Sequence, residues 1–421
     1  MTRFRRLTAL MAGAVLVAAT AACGTGAAED ARITLTIDDF GNFGYKSLLS
    51  EYEATHPGIR VVERTVDFKD HHTKLAQRLD AGSGAGDVVA LEEGYLTQFR
   101  NRGGDFVNLL ELGAGDLAAN WLPWKWDATL SADRTRQIGL GTDVGGLAMC
   151  YRPDLLQAAG LPSDRASVAK LWPTWEAYIA AGRRFQKAGL SAQWTDSAGN
   201  VYNQILSQQP VGYFDRDENL TIETAPGARR AWNLTVEMLA ARESAKYVSY
   251  SAQWFAALQA GRFATMTCPA WALGFIQQSA PATRGQWDVT AVPGGGGGNW
   301  GGSWLAVPKQ SAHPREAYEL AAWLTAPDQQ RLIFLETGNL PSLPALYDDP
   351  AVTGFRSEFF SQAPVGQIFT AAASRKPTQY IGLHNAAVRV VVEDKLSAVE
   401  LGRLPADQGW REAVAAARNA R

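Results

Sequence analysis

Cysteine, histidine and methionine are scarce in this 421-residue chain, with three, five and five copies respectively. There is no CxxC or HExxH spacing, and His71-His72 stands alone. Adjacent positions on a helix point in different directions, so a metal centre is not expected there. GxSxG is also missing, and no GxGxxG turn leads from a strand into a helix as a dinucleotide fingerprint must, which removes the usual signatures of hydrolases and redox enzymes and leaves no cofactor to expect. No basic stripe interrupts a formal net charge of -2, so nucleic acid is excluded as a partner. Beyond the first residues, no stretch has eighteen uninterrupted apolar residues, so no later segment is expected to span a membrane.

What is present begins at the N-terminus. Arg3, Arg5 and Arg6 precede an apolar run from Leu7 to Ala19 and then Thr20-Ala21-Ala22-Cys23. This charged region, short apolar region and small-residue site form a secretion signal over 1–22. It resembles the lipobox of bacterial lipoproteins, although Thr20 stands where that family usually has Leu. The resemblance implies lipidation of Cys23, a tether over 23–31, and a chain anchored at the outer face of the cell membrane by two acyl chains. Removing residues 1–22 shifts the formal charge from -2 to -5. The remaining 399 residues exceed one comfortable core, so two lobes are expected. Outside the cell, Cys150 and Cys268 are either a disulfide or two buried thiols.

The first part of the mature chain reads as β-α-β-α-β. Ile33 to Ile37 alternates as a strand, Tyr45 to Thr55 as a helix closed by His56-Pro57-Gly58, and Ile59 to Val66 as a second strand. A helix over Asp70 to Ala81 and a strand over Asp87 to Leu91 follow. That order predicts a parallel sheet covered by helices, with ligands beyond the strand ends at Asp38–Phe43, Asp67-Phe68 and Glu92–Tyr95. A helix-rich stretch covers 154–290, with strands at Phe263–Thr267 and Asp288–Val292, and Ser303–Val307 is a further strand. Helices at Pro314–Leu324, Pro327–Thr337 and from Val388 to the end complete the reading. The chain leaves its first lobe near residue 145 and returns near 300.

The GNFGY turn (41–45), LAMCYRPDLLQAAGLP (147–162), EAYELAAWLTAPDQQ (316–330) and ETGNLPS (336–342) resemble family 1 extracellular solute-binding proteins, which serve ABC importers. The strings IGLGTDVGGLAMCYR (138–152) and PGGGGGNWGGSWLAVPKQ (293–310) look closest to actinobacterial cello-oligosaccharide-binding lipoproteins. The resemblance implies an α/β, two-lobed periplasmic-binding-protein-like fold with hinge strands and a ligand cleft between lobes. One lobe would hold 32–145 and 300–345, the other 146–299 and 346–421. It also implies a monomer that takes an oligosaccharide by hinge closure and delivers it to permease subunits.

A sugar needs flat aromatic faces together with planar hydrogen-bonding groups, and unmet buried polar groups make hydroxyl recognition selective. On those grounds Asn42 and Phe43 in the first turn, and Glu92, Glu93 and Tyr95 after the third strand, are candidate contacts. Asn42 also suits an ordinary turn, and only one of the two glutamates is expected to face ligand. Asp143 at the lobe crossover either contacts ligand or pins the hinge. Trp271 is the first candidate for stacking, with Trp300, Trp304 and Trp124 as further aromatic contacts. The five glycines at 294–298 do not make a phosphate loop, since Asn299-Trp300 and a strand follow; a close approach near the hinge accounts for them. The rival reading is an extracellular glycosidase using two of Glu92, Glu93 and Asp143. Neighbouring Glu92 and Glu93 cannot oppose one another across a sugar bond.

Overall fold

The computed structural model describes residues 32–375 and 379–421. The secretion signal, Cys23 and the tether lie outside the described residues. Among the described residues, no helix is long and apolar enough to cross a membrane.

The opening order is β1 (Ile33–Phe40), α1 (Lys46–Thr55), β2 (Ile59–Val66), α2 (Phe68–Asp80), β3 (Val88–Glu92) and α3 (Glu93–Arg100). In β1 the alternation places Leu35 and Ile37 in the core, where α1 meets them with Leu48, Leu49 and Tyr52 on one helical face. His56-Pro57-Gly58 ends α1 and turns the chain into β2, which runs parallel to β1 in register from Ile33–Ile59 to Phe40–Val66. From Val88 to Leu91, β3 is apolar because both its faces are covered. Val88 and Ala90 join the core of α1, whereas Val89 and Leu91 pack with Leu75, Leu79 and Phe99.

After β3 come β4 (Gly139–Gly141), β5 (Asp143–Val144), β6 (Leu147–Tyr151), β7 (Gln193–Thr195), β8 (Phe263–Pro269), β9 (Asp288–Ala291), β10 (Ser303–Ala306) and β11 (Leu340–Pro341). The first sheet has the order β2-β1-β3-β10-β4, with β10 antiparallel to both neighbours. The second has the order β7-β8-β6-β9. β6 runs antiparallel to β8 and β9, and Cys150 and Cys268 on β6 and β8 form a disulfide with Cα atoms 5.8 Å apart.

The chain passes between the sheets at 142–147 and again at 298–303, and the two passages are bonded side by side. Trp300 N–H donates to Gly145 O at 2.9 Å, and Thr142 N–H donates to Ser303 O at 2.9 Å. At Gly145 a Cβ would sit 1.8 Å from Trp300 O, so only glycine allows this approach. The C-terminal stretch expected to be helical from Val388 onward is helical and starts at Asn385. It forms two helices, Asn385–Glu400 and Ala406–Asn419, because Gly402 adopts φ 72° and Pro405 starts the second.

Candidate ligand-binding site

A cavity of about 90 Å³ lies between the two sheets, where the carboxyl end of β3 faces the second passage and the helix Asn385–Glu400. Glu92 and Glu93 enter it from the first sheet. Glu92 caps α3 by accepting the Gly94 N–H at 2.7 Å. Burial and then the adjacent Glu93 push the Glu92 carboxyl up to about 7, against weaker pulls from Arg389 and Lys125. Glu93 accepts from Asn299 Nδ2 at 2.6 Å, and its own N–H donates to Gly302 O at 3.0 Å. Glu93 is therefore tied to the second passage through both side chain and backbone.

From the opposite side come Asn203 and Gln204 on the helix Ala198–Ser207, and Arg389 on the helix Asn385–Glu400. Glu393 accepts from Arg389 Nε at 2.7 Å and from Asn203 Nδ2 at 2.5 Å, which orients both. The Arg389 guanidinium stands 5.4 Å from the centre of the Trp300 ring, a cation–π arrangement at the cavity wall. Gln204 is only 2% exposed, yet neither its Oε1 nor its Nε2 has a protein partner. All five glycines at 294–298 have φ between 82° and 90°, and a Cβ at Gly298 would come within 3.0 Å of Gln204 Nε2. The glycine run thus brings the loop close to the cavity wall, which is the close approach its composition suggested.

Of the residues singled out by sequence, Glu92, Glu93 and Trp300 line this cavity. The others have different places. Asn42 is exposed, and its Oδ1 accepts the Gly44 N–H at 3.1 Å, the turn chemistry of Gly41-Asn42. Phe43 is buried against Phe40 and Tyr45. Tyr95 stacks on His72 with ring centres 4.1 Å apart. Asp143 Oδ1 accepts from Thr142 Oγ1 at 2.7 Å and Ser303 N at 2.9 Å, so it pins one passage to the other. Trp271 does not line the cavity. Its indole N–H donates to Trp300 O at 2.8 Å and its ring meets the Trp300 ring edge-on, so it holds the wall residue in place.

Trp304, expected at the ligand, is fully buried in the core. Its N–H donates to Lys125 O at 2.9 Å, and the Lys125 ammonium lies 3.3 Å from its ring centre. Its neighbour in the sheet, Leu305, points to the other face, so strand alternation sends Trp304 away from the cavity. Trp124 packs on the first core, also away from the cavity. Most of the tryptophans serve packing: Trp121, Trp126, Trp172, Trp175, Trp194, Trp232, Trp254, Trp287 and Trp304 are all buried. Asn203, Gln204, Asn299 and Arg389 were not reached from the sequence. Only Asn299 carried a local signal, its place directly after the five glycines.

The histidine pair also has a structural role. The backbone N–H of Glu92 donates to His72 Nε2 at 3.1 Å, so His72 Nδ1 carries the proton and donates to Phe68 O at 2.8 Å. Burial, followed by the neighbouring His71, lowers the His72 ring to about 3. Among the described residues no group of three or more His, Cys, Asp or Glu is placed to hold a metal ion.

Residues 44–331 match the bacterial extracellular solute-binding protein family, and the chain belongs to that family. A crystal structure described as an extracellular solute-binding protein of family 1 shares 39% identity, covering 92% of this chain and 99% of that one, with a TM-score of 0.83. The arabinooligosaccharide-binding protein of Bacillus subtilis (strain 168) is 24% identical over 301 residues, 66% of this chain. The match spans 65% of that relative, just under two thirds of its length. An ABC transporter-associated binding protein from B. animalis subsp. lactis Bl-04, solved with beta-1,6-galactobiose, has a TM-score of 0.76 at 22% identity, covering 92% of this chain and 96% of its own. The shared fold is two-lobed.

Proposed function

We propose that this chain is the receptor of an ABC importer, which captures a neutral oligosaccharide between two lobes and presents it to membrane permease subunits. The first lobe is assigned 32–145 and 300–345, the second 146–299 and 346–421, with the paired passages as the hinge. Gln204 carries the reading: a buried amide with two donors and an acceptor unmet by protein matches a ligand rich in hydroxyls. Trp300 supplies an apolar face beside it, and Glu92 and Glu93 answer from the other lobe. Ligand contacts with both lobes favour the closed arrangement. A cavity of about 90 Å³ is smaller than the roughly 300–1,000 Å³ typical of ligand sites, so entry requires the lobes to part.

The relatives named for arabino-oligosaccharides and the cello-oligosaccharide look of residues 138–152 and 293–310 make those two sugar series the first candidates. The protein works as a binder, without turning its ligand over. A thermal-shift panel of arabino-, cello-, xylo- and malto-oligosaccharides tests this, because a ligand at 100 times its Kd stabilises the folded chain by about 2.7 kcal/mol. Gln204→Ala is expected to weaken the responding sugar about tenfold. A sugar recovered hydrolysed after incubation would sink the receptor reading. The lipid on Cys23 belongs to the same proposal, with a monomer held at the outer membrane face. Mass spectrometry of membrane-extracted protein that found Cys23 unmodified would remove the anchor and leave the binding role intact.

A further inference from the structure

Two elements that belong to different cores meet beside the cavity. α3 opens with Glu93, which lines the cavity, and its later turns carry Thr97 and Arg100. Glu93, Thr97 and Arg100 are spaced four and then three residues apart, so they share one face of the helix. That face meets the segment 379–383. The Thr97 hydroxyl donates to Ile381 O at 2.8 Å, with Thr97 only 4% exposed, and Arg100 Nη2 donates to Tyr380 Oη at 3.4 Å. The Arg100 guanidinium also stands 5.8 Å from the centre of the Tyr380 ring.

The segment itself is fastened to the other half. Gln379 Nε2 donates to Leu206 O at 2.7 Å and to Gln209 O, at the end of the helix Ala198–Ser207. At Gly382 a Cβ would sit 2.5 Å from Phe214 Cγ, so glycine lets the segment lie directly on that buried ring. The Glu218 carboxylate accepts from the Tyr380 hydroxyl and from the Leu383 N–H. Leu206 and Phe214 belong to the core of the second sheet, whereas α3 sends Leu96 and Phe99 into the core beside β3. The contacts at Tyr380 and Ile381 therefore join the two halves without passing through the hinge. Gln379 and Ile381 also line the cavity, so the segment is part of its wall. Parting the lobes to admit a sugar must break both contacts from α3.

We infer that the segment 379–383 is a latch, held shut by Thr97 and Arg100, which slows the escape of a bound sugar. This inference rests on the oligosaccharide-receptor reading and adds to it a positioning residue, Thr97, that sets residence time. Neither Thr97 nor Arg100 lines the cavity, so the latch acts on every bound sugar alike.

Stopped-flow tryptophan fluorescence of the full chain, with whichever of the arabino-, cello-, xylo- and malto-oligosaccharides bind, tests it. Thr97→Val keeps the shape of the side chain and removes the hydroxyl. It should speed dissociation of each bound sugar about two- to tenfold and leave association unchanged. Thr97→Ser should dissociate like wild type. Without sugar, both variants should melt like wild type, because the open chain does not make the bond. A wild-type dissociation rate in Thr97→Val would overturn the latch. So would an unequal loss among the sugars that bind, or a loss carried by association. A fall in the melting temperature of sugar-free Thr97→Val would also overturn it and make Thr97 a support of the fold. Thr97→Ser dissociating as fast as Thr97→Val would remove the hydroxyl from the role. If the wild-type chain binds no sugar of the panel, the receptor reading itself falls and takes the latch with it, a result distinct from an unchanged rate.

Discussion

Both sheets of this molecule contain long-range pairings, β3 with β10 in the first and β6 with β8 and β9 in the second, but only the first has a locally connected part as well. In the first, β1, β2 and β3 are joined by single helices, so each pairing closes over a short stretch of chain. In the second, β6 lies between β8 and β9, strands more than a hundred residues later, and a disulfide with a sequence separation of 118 ties it to β8. Buried acids, paired and unpaired, occur beside both sheets: Asp39 on β1 is buried with neither oxygen hydrogen-bonded. Asp38 on β1 accepts from Arg64 at 2.6 Å, Arg78 at 2.9 Å and the Gly86 N–H at 2.7 Å. Glu243, beside β7, is fully buried with neither oxygen hydrogen-bonded, and burial pushes its carboxyl up to about 9. Asp196, in the half that holds the second sheet, instead accepts from Trp254, Ser197 and Asn200, so local or long-range assembly does not by itself decide whether a buried acid finds partners.

The largest effect is expected where the two halves join. Gly145→Ala drives a Cβ into Trp300 O and should destabilise the chain by more than about 3 kcal/mol, read as a fall in melting temperature. A variant that melts like wild type would show that the passages do not need their close pairing. Next comes the disulfide. Replacing Cys150 and Cys268 together by alanine should cost about 2–4 kcal/mol, because the bond closes a long loop that the second sheet otherwise has to close unaided. An unchanged denaturant midpoint would erase the contrast between the sheets.

The third prediction concerns pH. Glu243 has a folded-state pKa near 9, above an unfolded value of about 4.3. Its stabilising contribution is complete below pH 4 and is lost as pH rises toward 9. Asp196, raised to about 7 by burial despite bonds from Trp254, Ser197 and Asn200, acts in the same direction. Calorimetric melting at pH 6 and pH 9 should therefore show a decline that Glu243→Gln reduces by about 4 kcal/mol. An identical decline in the variant would clear Glu243 of the effect. The smallest change is expected at Arg64, whose side chain is partly exposed and whose acid retains two other donors. Arg64→Ala should cost less than about 1 kcal/mol in urea unfolding, and a larger loss would mean that the pairing around Asp38 is a single unit.

Legibility from sequence follows the same division. The β-α-β-α-β opening was readable because each element carries its own period and its own stop, such as His56-Pro57-Gly58 after α1. The Cys150–Cys268 pairing was not, since it depends on β6 and β8 lying side by side. The helical stretch expected from Val388 to the end is helical, and Gly402 and Pro405 mark the break within it. Glu92 and Glu93 line the candidate cavity because strand ends in such a sheet point at the cleft. Trp271 and Trp304 were placed at the ligand on residue type and position. Residue type does not tell whether an indole forms the wall, supports it or fills the core. Gln204 looked like any polar residue of an amphipathic helix.

The sequence by itself determined the family, the alternation of strands and helices, the two passages between lobes and the glycine loop beside them. Each rests on patterns within a few residues or on order along the chain. The tertiary structure alone decided that Gln204 is buried without a partner, that Arg389 reaches Trp300 from the C-terminal helix, and that Thr97 meets the segment 379–383. Those facts depend on which faces meet across long separations. Side-chain periodicity says which residues share a face, and only packing says what that face meets.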